Sequence, residues 1–166
     1  MFDHQFTARV ALQVAGPQTT ELSTFDRPGG GGYLSVGFGP VLIYCRTPNP
    51  VLIHHRAFSQ ALTAARGLFG HGYRAPLPTR SEQPPGHPVI AAITAQDDAD
   101  ACKLTAYTAG GSHDGRPALV ITVGALTVNC RDLHAVQDLH DAWNDALNHA
   151  PGLWQPTDRG QAVGTV

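Results

Sequence analysis

Apolar and polar positions alternate along the first part of the chain, most clearly from Phe6 to Val14, and this alternation predicts a β-strand with one buried face. Three further strands are predicted over residues 19–25, 33–38 and 41–46. A helix is predicted next, from Asn49 to Gly70, because apolar residues recur there at steps of three and four. Its apolar stripe consists of Val51, His55, Phe58, Leu62, Ala65 and Phe69.

The second part of the chain shows the same order of patterns. Strands are predicted over residues 89–95, 103–108, 118–123 and 126–131, and a helix over about 132–150. Asp132 suits the N-cap of that helix, and Pro151-Gly152 suits its end. The stripe of this second helix consists of Leu133, Val136, His140, Trp143, Leu147 and Ala150.

An internal repeat explains why the order of elements recurs. Residues 39–65 reappear, 85 positions later, as residues 124–150. The matching positions are Cys45-Arg46 with Cys130-Arg131, His55 with His140, Ala57-Phe58 with Ala142-Trp143, and Ala61-Leu62 with Ala146-Leu147. The sequence therefore predicts an α+β protein made by internal duplication of a ββββα unit, with antiparallel sheets and a pseudo-twofold arrangement.

The repeat also predicts how the chain is divided. The first repeat covers residues 1–70, a Pro-rich linker covers 71–88, the second repeat covers 89–151, and a loosely ordered tail covers 152–166. Each sheet is expected to be covered largely by the helix of its own half, and the two halves are expected to complete one shared core. The sequence leaves open whether the halves lie side by side or exchange elements.

Composition narrows the functional classes. Eleven basic and thirteen acidic residues give a net charge of −2, so no overall field attracts nucleic acid or an anionic membrane. The three cysteines, the absence of an apolar start and the absence of a long apolar run predict a cytoplasmic protein outside the membrane. Lys103 is the only lysine, and the abundance of Ala, Gly, Pro and Arg indicates a GC-rich bacterial source.

One set of candidate residues is expected to point towards the core. Cys45 and Cys130 fall on the apolar faces of the last strands, and His55 and His140 lie on the helix stripes. Together these four could form a tetrahedral zinc site, or a cysteine could act as a nucleophile beside a histidine. The interpretation that we favour is structural, with buried thiols and hydrogen-bonded core histidines, no metal, no cofactor and no enzymatic activity.

The outward faces of the strands carry the main functional prediction. Tyr44, Arg46, Lys103, Tyr107 and Arg131 place aromatic rings beside cations on exposed sheet, which is the composition of a platform for unpaired bases. Tyrosine is also common in strands through β-propensity alone, and the two arginines could instead be solvated strand ends or form salt bridges.

Two tandem units of four strands and a helix, spanning residues 5–150, resemble in topology the Whirly and PUR-type single-stranded nucleic-acid-binding proteins. The resemblance implies a binding protein whose sheets take up unpaired DNA or RNA, without catalysis or metal. The alternative is a protein-interaction module, such as an accessory or inhibitory factor, that uses the apolar patch at Leu42 and Tyr44. The sequence leaves open whether the protein forms a homo-oligomer.

Overall fold

The computed structural model of the protein describes residues 9–27, 31–76, 91–95, 97, 102–111 and 114–154. The elements, in chain order, are β1 (Val10–Val14), β2 (Thr20–Phe25), β3 (Tyr33–Phe38), β4 (Val41–Cys45), α1 (Pro48–Phe69), β5 (Ala91–Thr94), β6 (Lys103–Tyr107), β7 (Ala118–Val123), β8 (Leu126–Cys130) and α2 (Leu133–Trp154). The predicted α+β class and the repeated order of four strands and one helix are confirmed. The predicted strand residues 6–8 and 89–90, the linker after residue 76 and the tail from residue 155 lie outside the described residues.

The strands form two four-stranded sheets that exchange their edge strands. Sheet A has the order β1-β8-β7-β6, and sheet B has the order β2-β3-β4-β5. β1, from the first half, thus lies beside the last strand of the second half, and β5 lies in the same way beside β4. Backbone bonds extend both pairings, from Val10 N to Ala125 O at 2.8 Å and from Ala95 N to Tyr44 O at 2.8 Å.

The exchanged strands add a parallel pair to each sheet. β1 runs parallel to β8 and β5 runs parallel to β4, whereas all other neighbouring strands are antiparallel. The prediction of antiparallel sheets is therefore correct for three consecutive strands in each sheet but not for the fourth. The exchange gives β4 and β8 hydrogen-bonding partners on both sides, so neither is left as an open edge.

The two helices are exchanged as well. α1 packs against β6 and β7 of sheet A, α2 packs against β2 and β3 of sheet B, and the helices pack against each other. The expectation that each helix covers the sheet of its own half is wrong. The stripe on a helix shows which of its faces is apolar, but both sheets offer an equivalent apolar face, so the pattern could not show which sheet it covers.

One cluster of buried side chains contains residues from both halves. Phe58 and Trp143, which occupy the same repeat position on α1 and α2, are both completely buried. Cys45 and Cys130 lie in the same cluster, as the strand pattern predicts. The two β-hairpins that end in these cysteines turn at Gly39 and Gly124, whose φ angles of 54° and 55° lie in the left-handed region that favours glycine.

Local sequence signals predicted some of the helix ends correctly, but not all of them. Gly70 ends α1 as predicted, and the Oδ1 atom of Asp132 accepts a hydrogen bond from the Ala135 N–H at 2.9 Å, which confirms the predicted N-cap of α2. The predicted end of α2 at Pro151-Gly152 is wrong, because the helix continues to Trp154. Pro151 lacks the N–H that would bond to the carbonyl oxygen four residues before it, but Leu153 and Trp154 pack against the core, and these contacts favour the continued helix. Neither described helix is long and apolar enough to cross a bilayer.

Candidate binding groove on sheet B

Three aromatic rings form a row across the outer face of sheet B, on the side away from the helices. Phe25 on β2 pairs directly with Tyr33 on β3, and their stacked rings have centroids 4.5 Å apart. Tyr33 meets Tyr44 of β4 edge to face at 5.8 Å. Phe25 is 43% exposed, which is unusual for a large apolar side chain, and the row therefore presents ring surface to solvent.

A groove of about 490 Å³ lies beside two rings of this row, Tyr33 and Tyr44. It is lined by Arg27, Gly31, Gly32, Tyr33, Tyr44, Arg46, Ala92 and Thr94. Ala92 and Thr94 belong to β5, where their small side chains lie directly opposite Leu42 and Tyr44 of β4. Because β5 comes from the second half of the chain, the groove is built from both halves and depends on the exchange of strands.

The end of α2 contacts Gly32, just before β3 and beside the groove. The indole N–H of Trp154 donates a hydrogen bond to the carbonyl oxygen of Gly32 at 3.0 Å. A Cβ atom on Gly32 would lie 2.5 Å from the carbonyl oxygen of Phe25 and 2.6 Å from Cδ1 of Leu153, so only glycine fits. The continuation of α2 past Pro151 therefore has a consequence for the site, because it fixes the backbone next to Tyr33.

The charged side chains that line the groove are positive. Arg27 and Arg46 both line the groove and both are exposed, and none of the lining residues in the described part of the chain is acidic. Guanidinium groups form planar, often bidentate contacts with phosphate and also stack on rings. The groove thus combines ring surfaces with two groups suited to a ligand that is both aromatic and anionic.

The structure brings together only part of the predicted set of site residues. Tyr44 and Arg46 line the groove on sheet B, whereas Lys103 and Tyr107 are exposed on the edge strand β6 of sheet A. The prediction that Arg131 is exposed is wrong. Arg131 retains only 8% of its accessible surface, and its guanidinium group forms an ion pair with the carboxylate of Asp114.

Sequence reasoning missed Phe25, Tyr33 and Arg27. Phe25 is the last residue of β2 and Tyr33 is the first residue of β3, and the glycine-rich connection between them hides the hairpin pairing that stacks their rings. The signal available in the sequence was the alternation in β3, since Tyr33 and the core residue Phe38 are five positions apart and therefore lie on opposite faces.

The zinc site that the sequence left as an alternative, with two cysteines and two histidines, does not form among the described residues. Cys45 and Cys130 are buried, and burial raises the pKa of the Cys45 thiol to about 12 and raises the pKa of Cys130 as well. His55 and His140 are only half buried, with ring centroids 5.8 Å apart where the two helices meet. Among the described residues, no group of three or more Cys, His, Asp or Glu side chains could hold a metal ion.

The fully buried histidine of α1 is His54, one position before the predicted one. Its ring stacks on the indole of Trp143 with the centroids 4.3 Å apart. Burial lowers the pKa of His54 to about 4, so its ring is neutral at pH 7. Burial also lowers the pKa of His55, and the nearby His140 adds to that effect.

Comparisons of the chain with known protein families, with curated proteins and with solved structures find no match. The geometry of the groove is therefore the basis of the proposed function.

Proposed function

We propose that the protein binds single-stranded nucleic acid in the groove on sheet B. Unpaired bases stack on Phe25, Tyr33 and Tyr44, and Arg27 and Arg46 contact the phosphates. The observation that carries the proposal is the row of three touching rings on an open sheet, beside a groove lined by two exposed arginines. Aromatic rings and cations in this arrangement are typical of surfaces that bind unpaired strands.

The shape of the groove supports an unpaired rather than a paired strand. Its volume of about 490 Å³ is within the usual range for a small-ligand site, so it offers room for a nucleotide rather than for a duplex. In a duplex the faces of the bases are covered by their stacked neighbours, and rings on the surface of a sheet cannot reach them. An unpaired strand can turn its bases onto the rings while its backbone stays beside the arginines.

The charge of the molecule predicts a modest salt dependence. The net charge of −2 supplies no overall attraction, so binding depends on the two arginines of the groove. Each phosphate contact on a single strand contributes about 0.7 to the slope of log affinity against log salt concentration. Two contacts therefore predict a slope of about −1.4, much smaller than that of a protein that relies on a basic surface.

The test is fluorescence anisotropy with labelled single-stranded and duplex DNA and RNA across a salt titration. We expect selective binding of single strands, and Tyr44→Ala should weaken it about 5- to 150-fold, because stacking contributes about 1–3 kcal/mol per base. The matched variant Tyr44→Phe keeps the ring and should retain most of the affinity. Arg46→Ala should reduce the magnitude of the salt slope by about 0.7.

Two results would contradict the proposal. One is the absence of any binding at low salt by a folded protein. The other is equal binding of single-stranded and duplex molecules, since that pattern indicates phosphate contacts without stacking. The exposed ring of Phe25 would then favour the alternative function, a contact with a protein partner, whose affinity depends little on salt.

A further inference from the structure

The two halves of the molecule differ on their outer faces, although their backbones are built in the same way. The repeat places Ala118 where the first half has Tyr33, and Asn129 where the first half has Tyr44. Sheet A therefore lacks the middle and the end of the aromatic row that sheet B presents. Tyr107 is an exposed ring on sheet A, but the neighbouring position on β7 is Ala118.

The arginine at the end of the last strand is kept in both halves but has different surroundings. Arg46 is exposed at the groove on sheet B. The side chain of Arg131, its equivalent on sheet A, is 10% exposed and forms an ion pair with the carboxylate of Asp114. The other carboxylate oxygen of Asp114 accepts a hydrogen bond from the Arg116 N–H at 3.2 Å, which holds the acid within its own turn.

We infer that the molecule binds on one side only. A single strand binds to sheet B, and on sheet A the carboxylate of Asp114 takes the place on Arg131 that a ligand phosphate takes on Arg46. A carboxylate and a phosphate both accept hydrogen bonds from a guanidinium group, so an internal acid can occupy this position permanently. The number of strands bound per chain rests on the proposed function. The shielding of Arg131 by its ion pair with Asp114 can be measured without nucleic acid.

The shielding of Arg131 by Asp114 is tested by labelling the full chain with an arginine-specific dicarbonyl reagent and locating the modified residues by mass spectrometry. Arg46 should be labelled about tenfold faster than Arg131, since the Arg131 side chain is 10% exposed and reacts mainly when its ion pair opens. Asp114→Asn keeps an acceptor for the Arg116 N–H but removes the charge, and it should raise the labelling rate of Arg131 alone. Equal rates for the two arginines in the unmodified protein, or no change in Asp114→Asn, would overturn the inference.

The one-sided binding is tested by calorimetric titration with a short oligothymidylate. We expect one strand per chain, an affinity that Arg46→Ala lowers, and an affinity that Arg131→Ala and Tyr107→Ala leave unchanged. Two strands per chain, or an equal loss of affinity in Arg131→Ala and Arg46→Ala, would overturn the inference while leaving the proposed function intact. Failure of the unmodified protein to bind would contradict the proposed function. The labelling rates would still decide whether Asp114 shields Arg131.

Discussion

At the scale of single residues, His54 shows how burial decides the behaviour of a side chain. In the second half of the chain its repeat position is occupied by Leu139, and both side chains are buried. Nδ1 of His54 lies 2.8 Å from the carbonyl oxygen of Pro50, and because a carbonyl can only accept, Nδ1 carries the hydrogen. The neutral ring thus fills an apolar position and stacks on Trp143.

The lowered pKa of His54 predicts a loss of stability in acid. The folded-state pKa is about 4 and the unfolded value is 6.5, so between these values the unfolded chain binds a proton that the folded protein excludes. The free energy of unfolding should fall as the pH drops from 6.5 to 4, by an amount on the order of 3 kcal/mol from this residue. Urea denaturation at a series of pH values measures the change.

The matched variant for this prediction is His54→Leu, which copies the residue of the second half. It should remove most of the pH dependence between 4 and 6.5, because leucine takes up no proton. The backbone of Pro50 loses only a side-chain partner in this variant, since its carbonyl lies within the helix. An unchanged loss of stability in His54→Leu would show that another group is responsible.

At the scale of elements, Asp132 joins a helix to an exchanged strand. Its Oδ1 atom caps α2 at Ala135, and its Oδ2 atom accepts a hydrogen bond from the Gly16 N–H at 2.6 Å, just after β1. Asp132 is 1% exposed, so both N–H groups would be left without a protein partner if the carboxylate were removed. One side chain from the second half therefore holds the end of a strand from the first half.

We predict that Asp132→Ala lowers the free energy of unfolding by about 2 kcal/mol, through the lost cap and the buried donors. Asp132→Asn keeps one acceptor oxygen and should cost less. Asp138 provides a control on the same helix, because its carboxylate accepts a bond from the Gln18 N–H in a partly buried position, and Asp138→Ala should be milder. Denaturant unfolding of the three variants gives the order, and an equal loss in all three would contradict the role of Asp132.

At the scale of the whole molecule, the exchange of strands and helices makes the halves interdependent. Each sheet takes its edge strand from the other half, and each helix packs against the sheet of the other half. A half of about 70 residues that lost both would expose most of its apolar surface, and a domain of that size has little stability to spare. The molecule should therefore unfold in one cooperative transition.

Cutting the chain tests this interdependence. Residues 1–76 produced alone should lack a folded structure, whereas the two pieces produced together from a chain divided between residues 76 and 91 should copurify. Far-UV circular dichroism and the fluorescence of the core residue Trp143 should follow the same unfolding curve in the intact chain. A folded, monomeric first half, or two separate transitions, would show that the halves are independent.

The sequence by itself determined the elements and their inner faces. All ten elements follow from apolar periodicity and from local signals such as Asp132 and Gly70, because a helix or strand must bury its own apolar side whatever it meets. The same periodicity placed Cys45 and Cys130 in the core, but it missed by one residue which histidine of α1 is buried, since adjacent positions at the edge of a helical stripe have similar spacing.

The tertiary structure decided which elements meet and therefore where the site lies. Two sheets with equivalent apolar faces can each accept either helix, and an edge of β4 or β8 can accept either first strand, so periodicity could not predict the exchange. Tyr44 and Arg46 were predictable as outward residues of one strand, whereas their contact with Tyr33 and with the small residues of β5 required the pairing of strands distant in sequence. The ion pair of Arg131 likewise required Asp114, 17 residues away along the chain. Contacts between elements follow from how whole faces fit together, and that information is not contained in any one segment.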